Sequence, residues 1–336
     1  MRTRILLCCC LLGLTLWSSS VHAGESGTPE QGAAWMVYWD GAGVLEEAQQ
    51  LGDGLHAIVY FAAYFDDTDF LFVPSELDSL YDETEKLFGD AMPFRYLSVV
   101  NDREQASGSP LIKDTEILEM LFETPESIDL HVRDLISLAK DYGYDGLEID
   151  YERIRDQALW EDFSAFIHAL VPQAAEAGLQ LRVLFEPSAP LRKLTFPEGP
   201  EYVMMCYNLY GDHGGPGPKA DPDFLADMVK SMQYLPGRKT FALATGGFEW
   251  VGGKNARAVT QLQALSLAEE FQAEPARDEK SGAMFFTYQD SLKRTHEVWF
   301  ADDVTLQHWA QTIRDSGDYG VDIWRLGGNL GLENLR

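Results

Sequence analysis

The chain has 336 residues, of which 46% are hydrophobic and 24% are charged, a balance that excludes a disordered, collagen-like or low-complexity protein. Its 54 acidic and 26 basic residues leave a formal net charge of −28, which repels nucleic-acid phosphates and anionic lipid surfaces. We therefore expect no nucleic-acid partner, and a neutral substrate fits better than an anionic one.

The N-terminal segment has the pattern of a secretory signal peptide. Two arginines form a short basic region, an apolar run covers Ile5 to Trp17, and Val21-His22-Ala23 resembles an A-x-A cleavage site. The apolar run is shorter than the stretch of about 20 residues that crosses a membrane comfortably. The pattern therefore predicts a signal peptide over residues 1–23.

Cleavage after residue 23 has consequences for the whole protein. We expect a flexible leader over residues 24–32 and one domain over residues 33–336, with no membrane span left in the mature chain. The protein is then exported, to the periplasm, the cell surface or the medium. We also expect a monomer.

The rest of the chain alternates between strand-like and helix-like segments. Helical periodicity is clear in Ser127–Asp141 and Trp160–Ala177. Eight runs rich in β-branched and aromatic residues predict strands at Ala34–Trp39, His56–Phe65, Arg95–Val100, Gly146–Tyr151, Leu181–Phe185, Tyr202–Tyr207, Thr240–Thr245 and Val321–Leu326. Eight β/α units over this length predict an α/β fold, a (β/α)8 TIM barrel, rather than an open doubly wound sheet.

One stretch departs from this alternation. Met284–Tyr288 and His296–Phe300 flank a short polar connection, which predicts a small β-hairpin inserted before the last helix. The glycine pairs Gly246-Gly247 and Gly252-Gly253 are interpreted as turns.

The clearest chemical signal is the acidic strand Asp145–Glu152. Because side chains alternate across a strand, Glu148, Asp150 and Glu152 share one face, and the apolar residues between them share the other. In a barrel the acidic face points inward, and Glu152 lies at the C-terminal rim, where barrel active sites are found. Like charges so close raise at least one pKa, which would keep Glu152 protonated as a general acid near neutral pH.

Two other interpretations of this strand remain. It could be a solvated acidic edge strand, or its carboxylates could bind Ca²⁺ or Mg²⁺. The intervening apolar residues disfavour the first, and the aromatic residues at neighbouring strand ends disfavour the second. The seven histidines lack a metal-ligand spacing, so we expect no metal and no cofactor.

Three motifs in order carry a resemblance to a known family. The run Asp145–Glu152 resembles the D-x-x-D-x-D-x-E signature of the family 18 glycoside hydrolases, the chitinases and their relatives. Met205-Cys206-Tyr207-Asn208 resembles the family's M-x-Y-D segment on the sixth strand, and Trp324 resembles the eighth-strand tryptophan under the sugar. The Trp-Arg-Leu-Gly run that begins at Trp324 is similar to the sequence at this place in the branch of the family related to spore-cortex and peptidoglycan hydrolases.

The resemblance implies a retaining, substrate-assisted hydrolysis of glycans that contain an N-acetylhexosamine, such as chitin oligomers, peptidoglycan or an N-glycan core. It implies that Glu152 protonates the glycosidic oxygen while the substrate's own acetamide oxygen attacks the anomeric carbon. Asp150 would orient the acetamide and stabilise its positive charge, and Tyr207 would donate a hydrogen bond to it. Trp324 would stack beneath the sugar.

Two positions depart from the family pattern within the expected catalytic set. Glu148 replaces the usual Asp, and its extra methylene could move its carboxylate against Asp150 and alter proton sharing. Asn208 replaces the Asp of many members, as in some plant chitinases. A second candidate function is therefore a catalytically inactive glycan-binding barrel, and a third is a metal-dependent hydrolase that uses the same carboxylates.

Other strand ends supply candidate substrate-binding groups, because aromatic faces stack on sugars and polar rim groups bind hydroxyls. We select Trp39, Tyr60, Glu186 and Trp250. Tyr60 could instead be a core residue that does not bind sugar. Asp40, which follows Trp39, could instead cap a helix.

Overall fold

The computed structural model describes residues 32–106 and 108–335. The predicted signal peptide and all but the last residue of the predicted leader lie outside these residues. Among the described residues, no helix is both long enough and apolar enough to cross a membrane.

Strands and helices alternate along most of the described chain. The strands are β1 (Ala33–Val37), β2 (Ala57–Phe65), β3 (Leu71–Phe72), β4 (Phe94–Arg103), β5 (Gly146–Asp150), β6 (Gln180–Phe185), β7 (Glu201–Met205), β8 (Lys239–Ala244), β9 (Gly246–Val251), β10 (Lys254–Val259), β11 (Ala276–Arg277), β12 (Met284–Gln289), β13 (Thr295–Ala301) and β14 (Gly320–Trp324). The helices are α1 (Ala42–Leu51), α2 (Ser75–Phe88), α3 (Thr115–Leu121), α4 (Pro125–Asp141), α5 (Gln157–Glu176), α6 (Pro222–Met232), α7 (Gln261–Glu270) and α8 (Asp303–Arg314).

Within the described residues, eight parallel strands close a barrel in the order β1-β2-β4-β5-β6-β7-β8-β14. Pairing of β1 with both β2 and β14 completes the ring. Each of these strands overlaps one of the eight predicted runs, with ends that differ by up to a few residues, so the TIM-barrel prediction is confirmed. Each run is rich in branched or aromatic residues because a barrel strand is buried on both faces.

The barrel separates two apolar clusters. The larger one lies between strands and helices and includes Leu147, Ile149 and Phe163. The smaller one lies inside the barrel and includes Trp35 and Met205, with Trp324 packed at its edge. Alternation along each strand produces both clusters.

The predicted hairpin is present as β12 and β13, but it belongs to a larger insertion. Within the described residues, a five-stranded antiparallel sheet in the order β10-β9-β13-β12-β11 lies between barrel strands β8 and β14. The prediction of a small hairpin was therefore too limited. Gly246-Gly247 begins β9 rather than forming a turn, whereas Gly252-Gly253 does connect β9 to β10. A Cβ atom on Gly247 would lie 1.7 Å from the carbonyl oxygen of Trp299, so this close strand approach requires glycine.

Candidate active site

The acidic strand β5 lies in the barrel wall between β4 and β6, and its carboxylates point inward. Glu148 and Asp150 are buried, and Glu152 follows the strand with a largely buried side chain. On the other face, Tyr151 contacts helix α4, where its hydroxyl lies 2.7 Å from Nε2 of His131. The alternative of a solvated edge strand is therefore wrong.

Glu148 occupies the deepest of the three acidic positions. Its Oε1 accepts a hydrogen bond of 2.7 Å from Nε1 of Trp35, and its Oε2 accepts one of 2.9 Å from Nε of Arg182. Burial raises the pKa of Glu148, although the adjacent Arg182 charge opposes the rise. Because both of its oxygens have these partners, Glu148 is anchored to the barrel wall instead of being pushed against Asp150. Its influence on Asp150 is electrostatic.

Arg182 is a residue that the sequence interpretation missed. It lies fully inside the barrel and also contacts Glu201 at 2.8 Å and Asp322 at 2.5 Å. The signal was present in β6, where Leu181, Val183 and Phe185 alternate outward and leave Arg182 facing the interior.

Asp150 carries an unsatisfied polar atom. Its Oδ1 is buried and has no hydrogen-bond partner among the described residues. Burial raises the pKa of Asp150 well above its usual value, and the neighbouring charges of Glu152 and Glu148 raise it further. Buried polar atoms in proteins nearly always have a hydrogen-bond partner. Because this atom lies near the rim where barrel active sites are found, a group of a bound ligand would supply the missing partner.

Glu152 is held at both its backbone and its side chain. The amide of Asn101 accepts from the Glu152 N–H at 2.9 Å and donates to the Glu152 carbonyl at 3.1 Å. The Glu152 carboxyl forms an ion pair with Lys113 and a hydrogen bond with the carboxyl of Glu186. Burial raises the pKa of Glu152 to about 7, with Lys113 opposing the rise and Glu186 reinforcing it. The upward direction agrees with our prediction, but burial contributes more than the like charges.

An aromatic wall adjoins the carboxylates. The rings of Tyr207 and Trp324 are nearly parallel, with centroids 6.4 Å apart, and Phe61 meets Trp324 edge-on at 4.9 Å. Burial raises the pKa of Tyr207 well above its usual value, and the charge of Asp150 adds to the rise. The phenol therefore stays neutral and can donate a hydrogen bond near Asp150.

The remaining predicted positions lie at the rim of this wall. Trp39 is 51% exposed, meets Phe61 edge-on at 6.0 Å and lies beneath the guanidinium of Arg325. Asp40 forms an ion pair with Arg325. Asn208 is exposed and has a left-handed backbone with φ 62°, which asparagine tolerates better than most residues.

Two predicted substrate-binding residues are not accessible. Tyr60 is fully buried outside the barrel, where its ring lies 5.4 Å from that of Tyr81 and 5.5 Å from that of Tyr144. Alternation along β2 sends Phe61 inward and Tyr60 outward, so the core alternative holds. Trp250 is also fully buried, in β9, and its Nε1 donates to the carbonyl of Gly211 at 3.2 Å. Neither ring can stack on a sugar in this structure.

A cavity of about 300 Å³ lies at the opposite, N-terminal end of the barrel. Its charged lining includes Glu201, whose carboxylate pairs with Arg182 and with Arg238 at 3.1 Å. These charges already have partners, so this cavity lacks the unsatisfied groups that mark the rim around Asp150. Among the described residues, no group of three or more His, Cys, Asp or Glu side chains has the arrangement to hold a metal ion.

Comparison with known proteins shows what this chain resembles in sequence and in fold. No family model matches the chain. The chain is 26% identical over 215 residues to the cortical fragment-lytic enzyme of Bacillus subtilis (strain 168), a match that covers 58% of this chain and 49% of that protein. The chain is thus similar in sequence to a cortical fragment-lytic enzyme and in fold to chitinases.

Solved structures share the barrel fold of this chain. The spore cortex-lytic enzyme SleL of Bacillus megaterium QM B1551 superimposes with a TM-score of 0.74 at 19% identity, covering 92% of this chain and 74% of that one. A chitinase from Chromobacterium violaceum ATCC 12472 gives a TM-score of 0.73 at 18% identity, covering 89% and 95%. The chain matches 49 to 60% of the length of the first three curated relatives.

Proposed function

We propose that this protein is a glycoside hydrolase that cleaves β-linked, N-acetylhexosamine-containing glycans by a retaining, substrate-assisted mechanism. The observation that carries the proposal is the unsatisfied Oδ1 of Asp150, which lies between the deep Glu148 and the rim carboxyl Glu152. An acetamide N–H is a donor that this oxygen lacks. The partly exposed ring of Trp324 offers an apolar face for the sugar that carries the acetamide.

The first chemical step uses Glu152 and the substrate's own acetamide. Glu152 transfers its proton to the glycosidic oxygen, the C1–O bond breaks, and the acetamide oxygen bonds to C1. The oxazolinium that results carries a positive charge, which a carboxylate at Asp150 stabilises. Tyr207 donates a hydrogen bond to the acetamide. Water then opens the ring, with Glu152 now acting as the base.

The electrostatics of the site suit this role for Glu152. A general acid works best when its pKa is near the operating pH, and burial places that of Glu152 at about 7. Since the acid must be protonated, activity should fall as the pH rises through this value.

The substrate class rests on the resemblance and the relatives together. One relative is named for cortical fragments, and one structural neighbour is a chitinase. Both names support a glycan substrate for the present chain. The exposed Trp39 extends the aromatic wall beyond Trp324 and offers a second stacking surface.

Hydrolysis of fluorogenic N-acetylglucosamine oligomers tests the proposal, with the wild type beside Glu152→Gln. Loss of a general acid lowers the rate by about 10²–10⁴-fold. Glu176→Gln, the same change on the exposed surface of α5, is the matched control and should keep full activity. Equal turnover by wild type and Glu152→Gln would contradict the assignment of the acid.

A second candidate is a non-catalytic glycan-binding protein, which the Lys113–Glu152 ion pair favours because it stabilises the ionised form of the acid. Its signature is sugar binding, seen as a change in tryptophan fluorescence, without turnover at any pH.

We also propose that the chain is exported, on the basis of the signal-peptide pattern in residues 1–23. Mass spectrometry of the protein recovered outside the cytoplasm should place the mature N-terminus near Gly24. Recovery of the intact chain from the cytoplasm alone would contradict export.

A further inference from the structure

Lys113 is fixed next to the expected general acid by its own loop. Its backbone N–H donates to Oδ1 of Asp102 at 2.7 Å, and the next residue, Asp114, caps helix α3 and pairs with Arg103 at 2.7 Å. The loop is therefore held at both sides of Lys113, and the Lys113 ammonium contacts Oε2 of Glu152. Neither the acidic signature nor the strand pattern indicated this residue.

Glu186 faces the same carboxyl from the end of β6. Its Oε2 accepts from the backbone N–H of Arg153 at 2.7 Å, and its carboxyl forms a hydrogen bond with that of Glu152. The negative charge of Glu186 therefore opposes ionisation of Glu152. Glu152 thus lies between a cation that favours its ionised form and an acid that favours its protonated form.

We propose that Lys113 is a positioning residue that holds the Glu152 carboxyl by one oxygen and sets the pH range over which Glu152 carries its proton, with Glu186 as the opposing group. This inference rests on the proposed hydrolase function of the same site. The Lys113 ammonium contacts Oε2, one of the two carboxyl oxygens of Glu152. When Glu152 gives its proton to the glycosidic oxygen, it becomes a carboxylate, and the Lys113 ammonium stabilises that product of the proton transfer.

Other ionisable groups near Glu152 act on the same equilibrium. Burial by itself would lower the pKa of Lys113, but the charges of Glu152, Asp150 and Glu186 outweigh burial and raise it, so the ammonium stays charged. The groups that face Glu152 or its partners are Asp150 on β5, Tyr207 after β7, Asp102 on β4 and Arg153 after β5. Like Glu186, Asp150 opposes ionisation of Glu152 through its negative charge. The backbone N–H of Arg153 donates a hydrogen bond to Glu186.

The pH profile of kcat/KM tests the inference, because its basic limb reports the free enzyme's acid. Lys113→Met removes the ammonium and keeps much of the apolar stem, so the basic limb should move up by about one pH unit. Glu186→Gln should move it down. Lys113→Arg should restore the wild-type profile, and Lys140→Met on the surface of α4 is the control. Superimposable profiles for wild type and Lys113→Met, at equal fold stability, would overturn the inference.

A second measurement keeps this test separate from the hydrolase proposal if no glycan is turned over. A buried acid whose pKa is raised on folding makes the protein less stable as pH rises. The fall in Tm between about pH 5 and about pH 9 should be larger in Lys113→Met than in the wild type. The difference should vanish when both chains also carry Glu152→Gln. An identical difference in the Gln background would overturn the coupling between Lys113 and Glu152.

Discussion

Single carboxyl groups in this barrel differ because their neighbours differ. Glu148 has an arginine and an indole N–H on its two oxygens, whereas Asp150 has a buried oxygen with no partner among the described residues. Glu152 has a lysine on one side and an acid on the other. The first arrangement fixes both carboxyl oxygens of Glu148 in the barrel wall. The other two leave a buried acceptor on Asp150 and a proton on Glu152 available for a substrate.

Removal of the guanidinium inside the barrel should be costly. Arg182→Met leaves Glu148, Glu201 and Asp322 without their shared cation, and breaking a buried ion pair typically destabilises by about 3–5 kcal/mol. Denaturant unfolding at neutral pH measures the loss. Arg133→Met, on the exposed face of α4, is the control. A loss below about 1 kcal/mol, typical of an exposed pair, would contradict a structural role for Arg182.

Alternation along strands made some side chains predictable and others not. The inward face of Glu148, Asp150 and Glu152 followed directly from alternation on β5. Alternation on β2 also places Tyr60 outside the barrel and Phe61 inside it. The two adjacent aromatic residues look equally suited to stack on a sugar, so the sequence alone did not separate them. Lys113 and Arg182 were missed because a single basic residue gives no signal until a distant carboxylate is brought to it.

At the scale of elements, the inserted sheet contacts the loop after Tyr207, at the rim of the barrel, through Trp250. Its ring is buried in β9, and its N–H holds the carbonyl of Gly211 in the glycine- and proline-rich loop that follows Tyr207. The insertion therefore supports the rim of the candidate site through a structural contact and does not supply Trp250 to the sugar.

Trp250→Phe should loosen this loop while it keeps most of the buried ring. The lost hydrogen bond is worth about 0.5–1.5 kcal/mol, and amide exchange across residues 208–220 should become faster. Trp309→Phe is a matched control, since it removes a similar indole hydrogen bond, to the carbonyl of Ser281, at another place. Equal exchange of the loop in both variants would contradict the link between insertion and rim.

The insertion was only partly visible in the sequence. Strands β12 and β13 alternate branched and aromatic residues, so the hairpin was predicted. Strand β10 is largely polar and exposed, and β11 has two residues, so neither carries a strand pattern. Strand β9 begins with a glycine pair, which resembles a turn unless the neighbouring carbonyl of Trp299 is known.

At the scale of the whole molecule, the barrel was predictable and the detail of the site was not. Eight buried strands separated by helices determine the topology, because parallel strands need crossovers and place their carboxyl ends at one rim. The same rule predicted the end of the barrel at which Glu152 lies. The partners of each carboxylate depend on contacts between loops that are distant in the chain, such as Lys113 with Glu152, and these required the structure.

The central claim is that the substrate's acetamide, oriented by Asp150, performs the nucleophilic step. Proton NMR of the first product released from a β-linked N-acetylglucosamine oligomer tests it directly. We expect the β-anomer first, followed by slow mutarotation, and we expect the matched N-deacetylated oligomer to remain uncleaved. Initial release of the α-anomer, or equal cleavage of the N-deacetylated oligomer, would contradict the account.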